Sequence, residues 1–233
     1  MFERPHHQRI AHVLAALDGE LLRAHACWFG GGTCIALRFG EYRESVDMDF
    51  LVSDADGYRA LRLLLTGPQG LNALVRAQAQ PLITPRDLRA DQYGIRTWVQ
   101  MDGQLIKLEI VREARITLVA PGSDDMLCGI HTLTSLDLAC SKLLANADRH
   151  ADDGAFSRDI IDLGLMSLRL PALRAAITKA EAAYGAAIRR DLAWAIDRLQ
   201  TREGWLERCM SAMAIHMPKA LLWKKVRALR RVL

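Results

Sequence analysis

Asp47 and Asp49 stand one residue apart in the apolar run VDMDFLV, residues 46–52. In a strand both carboxylates share one face, while Val46, Met48 and Phe50 share the other. Two like charges so placed repel unless something positive lies between them. A divalent cation relieves that repulsion, and Mg²⁺ in particular takes carboxylate oxygens together with substrate phosphates. Upstream, Gly31-Gly32-Thr33 would let backbone N–H groups approach a ligand closely, and a helix starting there would point its positive end at it. That arrangement suits a phosphate. Acidic pairs also occur on exposed loops, and glycine turns arise for conformational reasons alone. Strand, Gly-Gly-Thr, short helix, strand and Asp-x-Asp in that order are far more specific than either part.

A third carboxylate is at hand. In QLIKLEIVR, residues 104–112, Glu109 lies with Leu105, Lys107 and Val111 on one face, opposite Ile106, Leu108 and Ile110. On a strand beside Asp49 it would complete the ligand set of a two-metal phosphoryl-transfer site. Pairing with Lys107 or Arg112 at a sheet surface is the alternative.

These residues need elements to hold them. Residues 6–25 have the apolar spacing of an amphipathic helix. Residues 27–29 read as a buried strand ending at the glycines, Thr33 to Arg38 as a short helix, and residues 46–52 as a second strand stopped by Ser-Asp-Ala-Asp-Gly. Helices are expected over residues 56–66 and 69–78. Strands over 93–101 and 104–112 are joined by Asp102-Gly103, a strong two-residue hairpin signal, and residues 115–119 are expected to add another strand. From Thr134 the pattern turns helical. Thr134-Ser135-Leu136-Asp137 resembles a capping box, and Pro171 and Pro218 mark later helix starts. The expected architecture is α/β (α+β): a mixed-sheet domain over residues 1–130, then an all-helical domain over 131–233.

In the helical half, Lys142, Asn146 and Arg149 fall on one helix face, at i, i+4 and i+7. Asp159 and Asp162, three apart, could both face that lysine and arginine. An ion-pair network between two helices and a phosphate site are both open on these residues alone. Residues 201–233 hold eight Lys/Arg and two Asp/Glu, while the other 200 residues sum to −2. This basic excess is expected of an end that meets a polyanion, and equally of a solvated helix face. In PKALLWKKVRALRRVL, Leu222, Val226, Leu229 and Leu233 form an apolar stripe, with Lys224, Lys225, Arg227 and Arg231 away from it. RNA phosphates or an acidic partner protein would both suit such a helix.

The bulk composition is that of a soluble globular chain: 233 residues, 51% hydrophobic, 25% charged. No apolar run approaches a membrane span, and MFERPHHQRI lacks the plan of a secretory signal. Five scattered cysteines without CxxC pairs fit buried thiols in a reducing cytoplasm. The seven histidines form no ligand-spaced cluster.

The two blocks together resemble a known family. Gly-Gly-Thr, then Asp-x-Asp, then a later strand acid resembles the DNA polymerase β-like nucleotidyltransferase superfamily, with a long gap of fourteen residues between Gly32 and Asp47. Gly-Gly-Thr-x-x-x-Leu…Arg-x-Ser-x-Asp-x-Asp-Phe, with SKLLANADRHADDGAFSRDIIDL at 141–163, is similar to the AbiEii/AbiGii toxin family. The resemblance implies a polymerase β-like nucleotidyltransferase domain followed by a helical domain, with an NTP in the cleft between. It implies Asp47 and Asp49 as the metal-binding pair for Mg²⁺, with Mn²⁺ as the alternative. Gly31, Gly32 and Thr33 would contact the triphosphate, with Arg43 and Ser45 close enough to touch phosphate or metal ligands. Lys142 would bind nucleotide phosphates, with Arg149 beside it, and Asp159 would be the acid of the Arg-Asp block. Glu109 is assigned from the strand pattern alone. The expected activity is NMP transfer from an NTP to a hydroxyl, the tRNA 3′ end by resemblance, in a toxin–antitoxin or phage-defence setting with an antitoxin partner. Transfer to a protein or small molecule, or a silent nucleotide-sensing module, are the alternatives.

Overall fold

The computed structural model describes residues 2–233. They fall into two units: residues 2–38 with 45–134, and residues 39–44 with 135–233.

In the first unit, two short helices, α1 (Pro5–Ala16) and α2 (Gly19–Ala24), occupy the stretch expected as one helix. The break has a local cause. Leu17 forms an isolated bridge with Val75, and Asp18 then restarts the helix by accepting from the N–H groups of Glu20 and Leu21. Strand β1 (Trp28–Gly30) leads straight into α3 (Gly31–Arg38), and β2 (Met48–Val52) is followed by α4 (Ala55–Leu65). Strand β2 starts two residues later than expected. Asp47 therefore precedes the strand, and Val46 is 49% exposed rather than sharing the buried face of Met48 and Phe50.

Residues 69–78 form only a 3₁₀ turn, Gly70–Leu74, entered through a positive φ at Gly70 and ended by the Val75 bridge. A two-residue edge strand, β3 (Arg89–Ala90), precedes the hairpin of β4 (Gly94–Met101) and β5 (Gln104–Arg112). Its turn has φ of 50° at Asp102 and 74° at Gly103, the conformation that two-residue hairpins of this composition adopt. Residues 115–119 are irregular. The Leu118 N–H is satisfied by Ser53 Oγ at 2.9 Å instead of a ladder. A small hairpin of β6 (Met126–Leu127) and β7 (Ile130–His131) completes the unit.

The five-stranded sheet runs β1-β2-β5-β4-β3. Strands β2 and β5 are parallel and the other neighbours antiparallel, so the sheet is mixed. One face, with Met48, Phe50, Ile95, Val99, Ile106, Leu108 and Ile110, is all but fully buried. The other carries the polar residues considered below.

The second unit is helical: α5 (Ser135–Arg149), α6 (Arg158–Leu165), α7 (Leu170–Tyr184), α8 (Ala187–Thr201), α9 (Trp205–Ala212) and α10 (Lys219–Arg227). Helix α5 packs against α6, α7 and α8, and α10 against α6. Gly164 of α6 permits that last approach, since a Cβ there would lie 3.2 Å from the Val226 Cα. Pro171 and Pro218 sit at the starts of α7 and α10 as expected. Leu222, Val226 and Leu229 are buried, but Leu233 is 46% exposed and Val232 is buried in its place. The chain tightens after α10 into a 3₁₀ segment, Ala228–Val232, which moves the apolar stripe by one position.

Among the described residues, no helix is long and apolar enough to cross a membrane. None of the five cysteines is in a disulfide. Cys27, Cys34, Cys140 and Cys209 are buried, and burial pushes the Cys34 thiol up to about 12.

Candidate active site

Helix α3 begins at Gly31, which has φ of +68°. A Cβ at that position would lie 2.2 Å from Asp49 Oδ2 and 2.8 Å from Asp49 Cβ. The Asp49 carboxylate thus packs onto the bare backbone at the amino end of α3, where only glycine leaves room and tolerates the conformation. Gly31→Ala is expected to cost about 1–3 kcal/mol from backbone strain, before counting the displacement of Asp49. A lowered melting temperature together with reduced activity would show both effects.

Thr33, buried in the first turn of α3, donates to Ser45 Oγ at 2.8 Å and also contacts the Asp47 carbonyl oxygen. Helix α1 grips the same segment. The Ser45 N–H donates to His7 Nε2 at 3.1 Å, and His6 Nε2 lies 3.0 Å from the Val46 carbonyl oxygen. The segment carrying exposed Asp47 is thus fastened by Thr33 and two histidines. The histidines were not legible as part of the site, because nothing local marks a side chain that reaches a backbone nearly forty residues away.

Asp49 is the register partner of Gly30 on one side and Glu109 on the other. The neighbouring-strand position expected for Glu109 is therefore real. Its carboxylate is also paired, with Lys107 Nζ at 2.7 Å and Arg96 Nε at 3.0 Å. Lys107 was foreseen as a partner; Arg96 enters because β4 sets it directly across from Glu109.

The remaining expected residues lie in the helical unit. Residues 39–44 count with that unit, so Arg-x-Ser is divided: Ser45 belongs to the sheet unit and Arg43 to the helical one. Arg43 is 5% exposed and directs Nε (2.7 Å) and Nη2 (3.0 Å) at Asp162, with Nη1 on the Glu44 carbonyl. Lys142 Nζ lies 2.7 Å from Asp162 and 3.0 Å from Asp159. Arg149 contacts both Asp159 oxygens, at 2.7 and 2.9 Å, and the Tyr42 hydroxyl donates to Asp162 at 2.6 Å. Both aspartates thus face the lysine, as their spacing allowed. Burial pushes the two carboxyls up, but Arg43 and Lys142 around Asp162, and Lys142 and Arg149 around Asp159, outweigh it and hold both below the ordinary carboxylate range. Three cations against two carboxylates leave the cluster one positive charge in excess, and Arg149, 35% exposed, is its most accessible member.

The family model of the nucleotidyl transferase AbiEii toxins of type IV toxin–antitoxin systems matches residues 13–230, nearly the whole chain. The chain belongs to the AbiEii family. The AbiEii assignment bears out the resemblance read from the two motif blocks, and with it a nucleotidyltransferase toxin of a type IV system, a setting that includes an antitoxin. Among solved structures, JHP933 from Helicobacter pylori is similar over 100% of this chain and 95% of its own, with 14% identity and a TM-score of 0.55. A "putative nucleotidyltransferase" from H. pylori is similar over 97% and 96%, with 16% identity and a TM-score of 0.53. At such identities these likenesses carry the fold alone. No match was found among curated proteins.

Among the described residues, no three His, Cys, Asp or Glu side chains converge as a ready-made metal cluster. The donor set nevertheless fits Mg²⁺, which is commonly held by one or two carboxylates plus substrate phosphates rather than by an all-protein cage. Asp47 and Asp49 would supply those carboxylates. Glu109 would join them only through the lone pairs that Lys107 and Arg96 leave open.

Proposed function

We propose that this chain moves a nucleoside monophosphate from an NTP to a hydroxyl acceptor, the 3′ end of tRNA, and that Mg²⁺ held by Asp47 and Asp49 is required. The observation that carries this reading is the Asp49 carboxylate seated on Gly31 at the amino end of α3, with Glu109 as its register partner. A phosphate-seeking helix end and two acids meet there in one place. When bound, the metal neutralises charge on the triphosphate and orients it.

The N–H groups at Gly31, Gly32 and Thr33 would hold the leaving pyrophosphate. The acceptor oxygen attacks the α-phosphorus, the bond to the bridging oxygen of pyrophosphate breaks, and the hydroxyl proton passes to water. Glu109, steadied by Lys107 and Arg96, lies on the side from which that hydroxyl comes and completes the metal site there. Ser45 keeps Thr33 and the Asp47 segment in place. In the helical unit, Lys142 and Arg149 are assigned to phosphate, supported by the excess positive charge of their cluster. Asp159 orients both, while Arg43 neutralises Asp162 and serves phosphate only through it. Exposed Lys224, Arg227 and Arg231 are assigned to the RNA backbone.

The test is incubation with Mg²⁺, total tRNA and each α-labelled NTP in turn, beside the Asp49→Ala variant. Label in tRNA with the native protein and none with the variant is the expected result. Label in protein instead moves the acceptor to a polypeptide, and label nowhere removes the transferase reading.

A further inference from the structure

On the face of the sheet that carries Asp49, one row of register partners crosses all five strands: Gly30, Asp49, Glu109, Arg96 and Arg89. It begins at a glycine, passes through two acids and ends in two arginines. The next row on that face pairs Lys107 with Trp98. The Arg86 guanidinium carbon lies 4.5 Å from the centroid of the half-buried Trp98 ring. Lys107 and Arg96 are engaged by Glu109. Arg86 and Arg89 are exposed, and neither pairs with a carboxylate among the described residues.

The order along this row has a chemical meaning. An in-line displacement puts the entering and leaving oxygens on opposite sides of phosphorus. With pyrophosphate at the glycine end, the acceptor oxygen arrives from the Glu109 end, and whatever is attached to it extends over β4 and β3. Trp98 lies two strands and two residues from Asp49, about 12 Å between backbones, near enough for the last nucleotides of a strand.

We propose that Trp98, Arg86 and Arg89 form a platform for the single-stranded 3′ end of an RNA acceptor. A base stacks on the Arg86–Trp98 pair, and the phosphates meet Arg89 and Arg86. A lone arginine on an edge strand needs no further explanation than protection against edge pairing. A guanidinium set over an indole beside it, on the same face as the acids, presents a cationic and aromatic surface that edge protection does not call for. The direction of approach rests on the transferase reading; the binding surface does not.

Anisotropy of a fluorescein-labelled single-stranded RNA, titrated with the full chain, tests the platform. Trp98→Ala is expected to weaken binding about tenfold, with Trp98→Phe restoring most of it. Arg89→Ala is expected to lower the salt slope of binding by about one. Arg86→Ala, at an exposed position, is expected to weaken binding without changing the melting temperature. Wild-type affinity and slope in the Trp98→Ala, Arg86→Ala and Arg89→Ala variants would overturn the platform, as would a native chain that binds only a protein acceptor. The two readings separate cleanly. RNA binding that depends on Trp98 without any NMP transfer leaves the platform standing and removes the transferase. Transfer to RNA with binding indifferent to these residues does the reverse.

Discussion

Asp49→Asn is expected to abolish nucleotide transfer while leaving the fold in place. The amide keeps the size of the carboxylate against Gly31 but removes the negative charge on which a phosphate-bound cation depends. Even groups one shell beyond a metal typically cost 10–100-fold, so the loss here is expected to be at least about 100-fold in kcat/KM. Asp47→Asn is expected to lose a comparable factor. Asp47 is exposed and its segment is held through backbone groups of Ser45, Val46 and Asp47, none of which the substitution touches. Initial rates of label incorporation, with circular dichroism and thermal melts of the same samples, separate activity from folding. An Asp49→Asn protein that transfers at the wild-type rate would sink the assignment.

The largest stability effect is expected at Asp162. Its side chain is wholly buried and accepts from Arg43, Lys142 and Tyr42. Asp162→Ala leaves Arg43 and Lys142 buried with too little negative charge, a change that costs about 3–5 kcal/mol. For a chain of this size that corresponds to a melting temperature lower by roughly 10 °C or more. Asp159→Ala is expected to cost less, because its partner Arg149 can turn to solvent. Acid provides a second reading. Both carboxyls are held below their ordinary range, so the stability they contribute is complete above the unfolded value near 4 and is lost as pH falls below it. Wild-type melting temperatures should therefore drop in acid below pH about 4. The Asp162→Asn variant, less stable at neutral pH, should drop less over the same window. Parallel acid profiles for the two proteins would count against the network.

The hairpin, the glycine turn into α3 and the two apolar strands were legible because each is written in local spacing. So was the meeting of Lys142 with both aspartates, since helical periodicity aligns them. What local pattern misses is decided by distant partners. Asp18 and Val75 split the first helix, and Ser53 takes the N–H that a strand at 115–119 would have used. Arg43 lies two residues before Ser45 and was expected to share its role, but Asp162, far along the chain, draws it into the helical unit. Val46 looked like core because its neighbours are core; it lies before the ladder starts, and His6 holds its carbonyl instead. His7, with no motif around it, is visible only once the Ser45 N–H is seen to need an acceptor.

The turn at Asp102-Gly103 acts as a ruler for the charged row seven residues away. Because two residues close the hairpin with both at positive φ, Met101 meets Gln104, and counting back from there brings Arg96 to Glu109 and Trp98 to Lys107. One extra residue retained in the ladder would swap the faces of β4, setting buried Thr97 and Val99 toward the acids and sending Arg96 and Trp98 into the core. The charge beside Glu109 is thus governed by a turn seven residues away. Drift in the length of that turn would be felt at the candidate site long before it was felt in the turn itself.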